Sequence, residues 1–157
     1  PPLGIIALQS YLDHVFKDEI EGKLLKSRID FDSYEDLNKI ISDFQPSLIG
    51  ISSMTFHKNF FHNVISEIRK AGYDKTLLVG GPYPTTSYEE VLKDENIDIA
   101  AIGEGENILT EIVDKLIKNK ANKLNRNQLK LIDGIAFLDR EIKENLINTY
   151  TNKQLNL

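Results

Sequence analysis

The apolar positions of this chain repeat at two periods. Ile5, Leu8, Leu12 and Val15 recur at helical spacing, which predicts a first helix over residues 3–16. Residues 23–31 alternate instead, with Leu25, Ser27, Ile29 and Phe31 set against Lys26, Arg28 and Asp30, the period of an edge strand. Ser33 with an acid three residues on, Asp36, reads as a capping box. Leu37, Ile40, Ile41 and Phe44 then give one helical face, and Pro46 stops that helix. Three short, continuously apolar runs follow at 48–52, 76–80 and 97–102, each read as a fully buried parallel strand. Between them lie a helix marked by Phe60, Phe61, Val64, Ile65 and Ile68 and ended by Gly72, and a short one opened by Ser87 and running through Leu92. Ile108, Leu109, Ile112, Val113, Leu116 and Ile117 mark a longer amphipathic helix. Residues 118–130 turn polar and read as a solvated linker or a frayed helix end. Residues 133–138 and 141–147 read as a hairpin turning near Asp139 and Arg140, followed by a polar tail.

Strand–helix alternation at this spacing implies a parallel sheet with right-handed crossovers. The expected fold class is α/β: a three-layer, Rossmann-like (flavodoxin-like) parallel sheet with a C-terminal β-hairpin. The expected divisions are an α/β domain over 1–120, a polar linker over 121–130, the hairpin over 131–147 and a tail over 148–157. Pro1, Pro2, Leu3 and Gly4 run directly into the first helix with no leading strand, so a missing first strand in an excised fragment is expected.

Composition narrows the function. At 157 residues and 41% hydrophobic, the chain fits one domain with a real core. A formal net charge of -5 gives a nucleic-acid partner no electrostatic support. No apolar run approaches the roughly 18 residues needed to span a bilayer, and no secretory signal is visible, so a cytoplasmic location is expected. Cysteine is absent. That excludes disulfides, thiolate zinc sites and a cysteine-ligated iron–sulfur cluster within these residues.

The informative segments are three loops that each end a predicted strand. In an open α/β sheet such loops gather at the carboxyl ends of the strands, where ligands bind. The first holds Ser52, Ser53, Met54 and Thr55, whose hydroxyls suit a ring nitrogen and whose other common use is helix N-capping. The second holds Gly80, Gly81 and Pro82, where paired glycines let a ligand touch bare backbone or simply make a tight turn. The third holds Gly103, Glu104, Gly105 and Glu106; either acid suits ligand hydroxyls or amides, or complements a helix dipole. Neither a Walker-type phosphate loop nor a Gly-x-Gly-x-x-Gly fingerprint is present, and no Gly-x-Ser-x-Gly elbow supports a hydrolase. His57 lies near a strand end but reads as a solvent or cap residue, His62 as structural, and His14 lacks metal-ligand spacing. No residue is assigned a catalytic or metal-binding role.

Taken in order, Gly50 through Thr55, Val79 through Pro82 and Asp98 through Glu106 resemble the cobalamin-binding domain that precedes the catalytic barrel in many radical S-adenosylmethionine (SAM) enzymes. The hairpin beginning Asp133, Gly134, Ile135, Ala136 resembles the segment leading into that barrel. The resemblance covers nearly the whole chain and makes 1–120 a cobalamin-binding-like unit. It implies that Ser52 or Ser53 hydrogen-bonds the displaced base of cobalamin, with Met54 standing where the family has leucine. It also implies that Gly80, Gly81 and the loop 103–106 border the nucleotide tail. The family's cobalt-ligating Asp-x-His-x-x-Gly pattern is absent, so base-off binding without a histidine ligand from this chain is expected. The implied parent is a radical SAM methyltransferase or oxidative cyclase, of the kind resembling Mg-protoporphyrin IX monomethyl ester cyclase. Its SAM and [4Fe-4S] cluster belong to the barrel, the expected partner of this domain, so this chain is a cofactor module and not a complete catalyst. The alternatives are a degenerate scaffold or substrate-selecting domain without cofactor, and a flavodoxin-like nucleotide binder.

Overall fold

A computed structural model describes residues 3–139 and 145–149. Its elements are α1 (Leu3–Phe16), α2 (Tyr34–Phe44), β1 (Leu48–Ser52), α3 (Lys58–Lys70), β2 (Thr76–Gly80), α4 (Pro82–Val91), β3 (Ile99–Ala101), α5 (Gly105–Asn119), α6 (Arg126–Lys130), β4 (Ile135–Asp139) and β5 (Asn145–Asn148). The five strands form one sheet in the order β1-β2-β3-β4-β5. The first three run parallel, and β4 and β5 add antiparallel to β3. The hairpin is therefore part of the main sheet. Its turn lies outside the described residues, as do Pro1, Pro2 and the tail from residue 150 on.

Strand alternation sorts the core onto two faces. Leu77, Val79 and Ala100 pack with Leu37 of α2, Phe61, Ile65 and Ile68 of α3, and Tyr83 and Val91 of α4. Leu78, Ile99, Ala101, Ile135 and Phe137 pack instead with Ile108, Ile112 and Leu116 of α5 and Leu129 of α6. Helices thus cover both faces, giving the three layers expected. α1 rests on α5, and Leu8 lies beside Gly105 at the start of that helix.

Several expectations need correction. Residues 23–31 are not a strand: only an isolated bridge joins Ser27 and Phe31. Asp30 closes a turn by accepting from the Lys26 N–H (2.6 Å), and Arg28 has φ 66°. A side-chain acceptor has replaced a neighbouring strand as the partner of that backbone. β1 is an edge strand, half-buried at Ile49 and Ile51 and exposed at Gly50 and Ser52, so it is not buried on both faces. Phe60 is 45% exposed and lies off the buried face of α3. The helix expected from Ser87 starts five residues earlier, at Pro82, because proline suits a first helical position. Ser87 (φ -136°, ψ 33°) marks a kink inside it. Within 118–130, α5 continues to Asn119, and Asn125 with Gln128 forms a reciprocal capping box that opens α6. The boxed start expected at Ser33 does form: its hydroxyl accepts from the Asp36 N–H at 3.1 Å.

Two carboxylates with basic partners brace the amino ends of the parallel strands. Asp98 accepts from Arg69 (2.8 Å), Lys123 (3.3 Å) and the Leu77 N–H (2.8 Å). Buried Asp139 accepts from Arg126 at 2.7 Å.

Candidate functional site

Because β1, β2 and β3 are neighbours in parallel, their three carboxyl-end loops meet at one edge of the sheet. The loops are also bonded to one another. The Ser53 N–H donates to Gly80 O (3.2 Å), and the Tyr83 N–H donates to Ser53 O (3.2 Å). The Gly103 N–H donates to Thr85 Oγ1 at 3.1 Å. All eleven residues singled out in the sequence therefore lie on this composite edge, but they do different work.

Ser53 is buried and its hydroxyl donates to Met54 O at 3.0 Å, so it shapes the loop from inside. Ser52, Met54 and Thr55 are exposed. Gly81 has φ +96°, and a β-carbon there would lie 2.7 Å from Ser52 Oγ and 3.1 Å from Ser53 O. Its glycine requirement comes from the protein's own first loop. Gly103 also has positive φ (86°) and is exposed, as is Glu104, while Glu106 is half-buried in the first turn of α5.

The open space lies on the α5 side of the sheet. Ile49 and Ile51 of β1 face the α3 side, so Gly50 and Ser52 face the other, where they are exposed among the described residues. A β-carbon on Gly50 would meet nothing within 4 Å, and one on Gly80 only the Ala101 methyl at 3.7 Å. Gly50, Ser52, Gly80 and Ala101 thus form a floor of minimal side chains. At one end of this floor stand the first turn of α5 and Leu8 of α1. Gly50 was not among the residues predicted to touch a ligand; its strand face becomes visible only once β1 is known to sit at an edge.

Chemically this edge offers hydroxyls, bare peptide groups and carboxylates. The eleven residues include no lysine or arginine. That set fits a large, mostly neutral, amide-bearing ligand whose side groups both donate and accept, and it is a poor match for a polyphosphate. Two cavities of about 370 and 230 Å³ lie elsewhere. Ile41, Pro46 and Tyr73 line one, and Thr76, Asp98 and Arg126 the other, at the amino ends of the strands. In the second, Lys123 pairs with Asp98 and Arg126 with Asp139, and both cavities lie away from the strand carboxyl ends, so the position rule for open sheets favours the glycine-lined edge.

Two supporting residues escaped the sequence reading. Thr85 anchors the third loop, and Tyr83 anchors the first through its backbone. The Tyr83 phenol is buried and bonded to His62, and burial, followed by the Glu90 and Asp94 carboxylates, raises its pKa. His57 is exposed at the start of α3 with its ring 4.2 Å from that of Phe56. His14 is exposed on α1. Among the described residues no group of three or more His, Cys, Asp or Glu is placed to hold a metal, and no helix is long and apolar enough to cross a membrane.

Comparison with known proteins adds independent findings. A family model described as "B12 binding domain" matches residues 1–113. Over 138 residues the chain is 28% identical to a protein of Pyrococcus horikoshii called "Uncharacterized methyltransferase PH0819"; the match covers 87% of this chain and 28% of that one. The cobalamin-dependent SAM radical enzyme OxsB, solved with aqua-cobalamin and SAM, matches with TM-score 0.73 and 21% identity. That alignment covers 96% of this chain and 20% of OxsB. The radical SAM methyltransferase TsrM from Kitasatospora setae, solved with cobalamin and a [4Fe-4S] cluster, matches with TM-score 0.70 and 18% identity, covering 92% of this chain and 26% of that one. The chain spans between 20% and 28% of these larger proteins, and at these identities the structural likeness shows the fold.

Proposed function

This chain belongs to the B12-binding domain family, and on that premise we propose that it is the cobalamin-holding module of a radical SAM enzyme of the methyltransferase or oxidative cyclase type. One observation carries the reading: the open strand face of Gly50 and Ser52 on the α5 side, continued by Gly80 up to the buried methyl of Ala101 and bordered by the loop 103–106. A floor of such small residues admits a flat heteroaromatic base edge-on against the sheet. Ser52, exposed at its rim, is the hydroxyl placed to bond that base, while the buried Ser53 positions the loop. Met54 and Thr55 stand at the outer rim. Glu104 and Glu106 accept from ligand amides, and the peptide groups of Gly103 and Gly105 let the tail lie close. Gly81 and Pro82 hold the second loop in place.

When bound, cobalamin supplies the organometallic chemistry; the chain supplies a dry slot and orientation. In this reading the slot would take the displaced base, which would make binding base-off, and no histidine of the loops would take the cobalt-ligand role. Residues 1–120 form the holding unit, and the β4–β5 hairpin leads toward a barrel that carries SAM and the [4Fe-4S] cluster.

The test is retention of aquacobalamin after removal of free ligand, followed by its absorbance spectrum. The reading expects retained corrinoid with a base-off spectrum. A Gly50→Phe variant, whose ring would occupy the open floor, is expected to melt near the wild-type temperature and to lose retention. Equal retention by Gly50→Phe, or none by the wild type, contradicts it.

A further inference from the structure

On the opposite face of the loops, a hydrogen-bonded chain links three side chains that are distant in sequence. His62 on α3 uses both ring nitrogens. Its Nδ1 lies 2.7 Å from Asp94 Oδ2, and its Nε2 lies 3.0 Å from the Tyr83 hydroxyl. The ionised Asp94 carboxylate only accepts, so Nδ1 carries a proton, and in the neutral imidazole Nε2 is then the acceptor for the phenol. The other oxygen of Asp94 is engaged as well: Oδ1 accepts from the backbone N–H (3.1 Å) and the side-chain amide (3.0 Å) of Asn96. The carboxylate is therefore fixed in orientation. Tyr83 is 1% exposed and its ring stands edge-on to Phe61 at 5.6 Å, so it cannot swing away without opening the core. Its raised pKa, caused first by burial, keeps the phenol protonated as a donor.

The same tyrosine reaches the site through its backbone. Its N–H donates to Ser53 O, while the Ser53 N–H donates to Gly80 O. Ser53 is thus held between two bonds, one of which belongs to the residue whose phenol His62 grips. A core filler would need only the ring of Tyr83; its hydroxyl is aimed at an imidazole already fixed by a carboxylate.

We infer that Asp94, His62 and Tyr83 form a latch that sets the first loop, with His62 and Tyr83 acting as positioning residues for the cofactor edge. The part of this inference that concerns ligand affinity rests on the cobalamin reading given above; the part that concerns the loop does not.

The experiment uses Tyr83→Phe, which removes one oxygen and keeps the ring. The readouts are amide hydrogen exchange at Ser53 and Tyr83 without ligand, the ¹⁵N resonances of the His62 ring, and the dissociation constant for aquacobalamin. The latch predicts exchange faster by about five- to tenfold, the factor of one hydrogen bond of ordinary net strength, and a similar weakening of aquacobalamin binding. It also predicts an unprotonated Nε2 in the wild type above the imidazole titration range. His62→Gln, which keeps an acceptor for the phenol, should restore slow exchange relative to His62→Leu. Exchange at Ser53 unchanged in Tyr83→Phe, or a proton on Nε2, overturns the latch. Faster exchange with unaltered aquacobalamin affinity overturns its role toward the cofactor. If the wild type binds no aquacobalamin, the cobalamin reading fails while the exchange comparison still decides the latch.

Discussion

Gly50 and Gly81 sit on the same edge of the sheet and respond to substitution in opposite ways. Gly81 has φ +96°, and its missing β-carbon is replaced by Ser52 and the Ser53 backbone. Gly81→Ala should cost about 1–3 kcal/mol in a urea melt, because φ 96° with ψ -173° is a backbone conformation open essentially to glycine alone. Gly50 has open space above it and no positive φ. Gly50→Ala should stabilise the apo chain by about 0.4–1 kcal/mol, because it narrows the unfolded ensemble without strain. A second residue-scale prediction concerns alkaline pH. The pKa values of Tyr73 and Tyr83 are both raised from 10.0, in each case first by burial. Above 10.0 the unfolded chain therefore releases protons that the folded chain keeps, so stability present below that pH falls as pH rises. Urea melts across this range should show the decline, and Tyr73→Phe should flatten it. At this scale the sequence revealed which residues gather at the edge, since strand-end position follows from pattern. It did not reveal that Ser53 and Gly81 serve the loop while Ser52 and Gly50 face space, because that depends on side-chain direction.

Among elements, the legible ones were those whose pattern is satisfied locally. α1, α2, α3, α5 and the strands β1 and β2 follow directly from period and caps. The segment 23–31 alternates like a strand, yet Asp30 and the turn at Arg28 take up its backbone groups. An edge strand and a buried one share the same short apolar run, so the exposure of β1 was not readable from residues 48–52 alone. α6 was hidden inside a polar stretch whose Asn125 and Gln128 are a capping pair. Between elements, Asp98 joins α3, the amino end of β2 and the segment after α5. Its side chain and that of Arg69 are 12% and 14% exposed. Asp98→Ala strands a largely buried guanidinium and should cost about 3–5 kcal/mol, seen as a large drop in urea midpoint. Arg69 also donates to the carbonyls of Asn96, Tyr73 and Lys75, and a loss below about 1 kcal/mol would show that these alone hold it.

For the whole molecule, the arrangement separates two ends of one sheet. Ion pairs and capped turns secure the amino ends of the parallel strands, while the carboxyl ends carry glycines, hydroxyls and acids. Stability and ligand contact can then vary independently, which suits a module whose task is to present a large cofactor. Membership of the B12-binding domain family accords with that division. The most direct measurement is a map of backbone amide resonances during titration with aquacobalamin. The account predicts shifts concentrated at residues 50–55, 80–82 and 103–106, with little change around Ile41, Tyr73 or Arg126. Shifts centred on those latter residues, or no saturable binding, would contradict it.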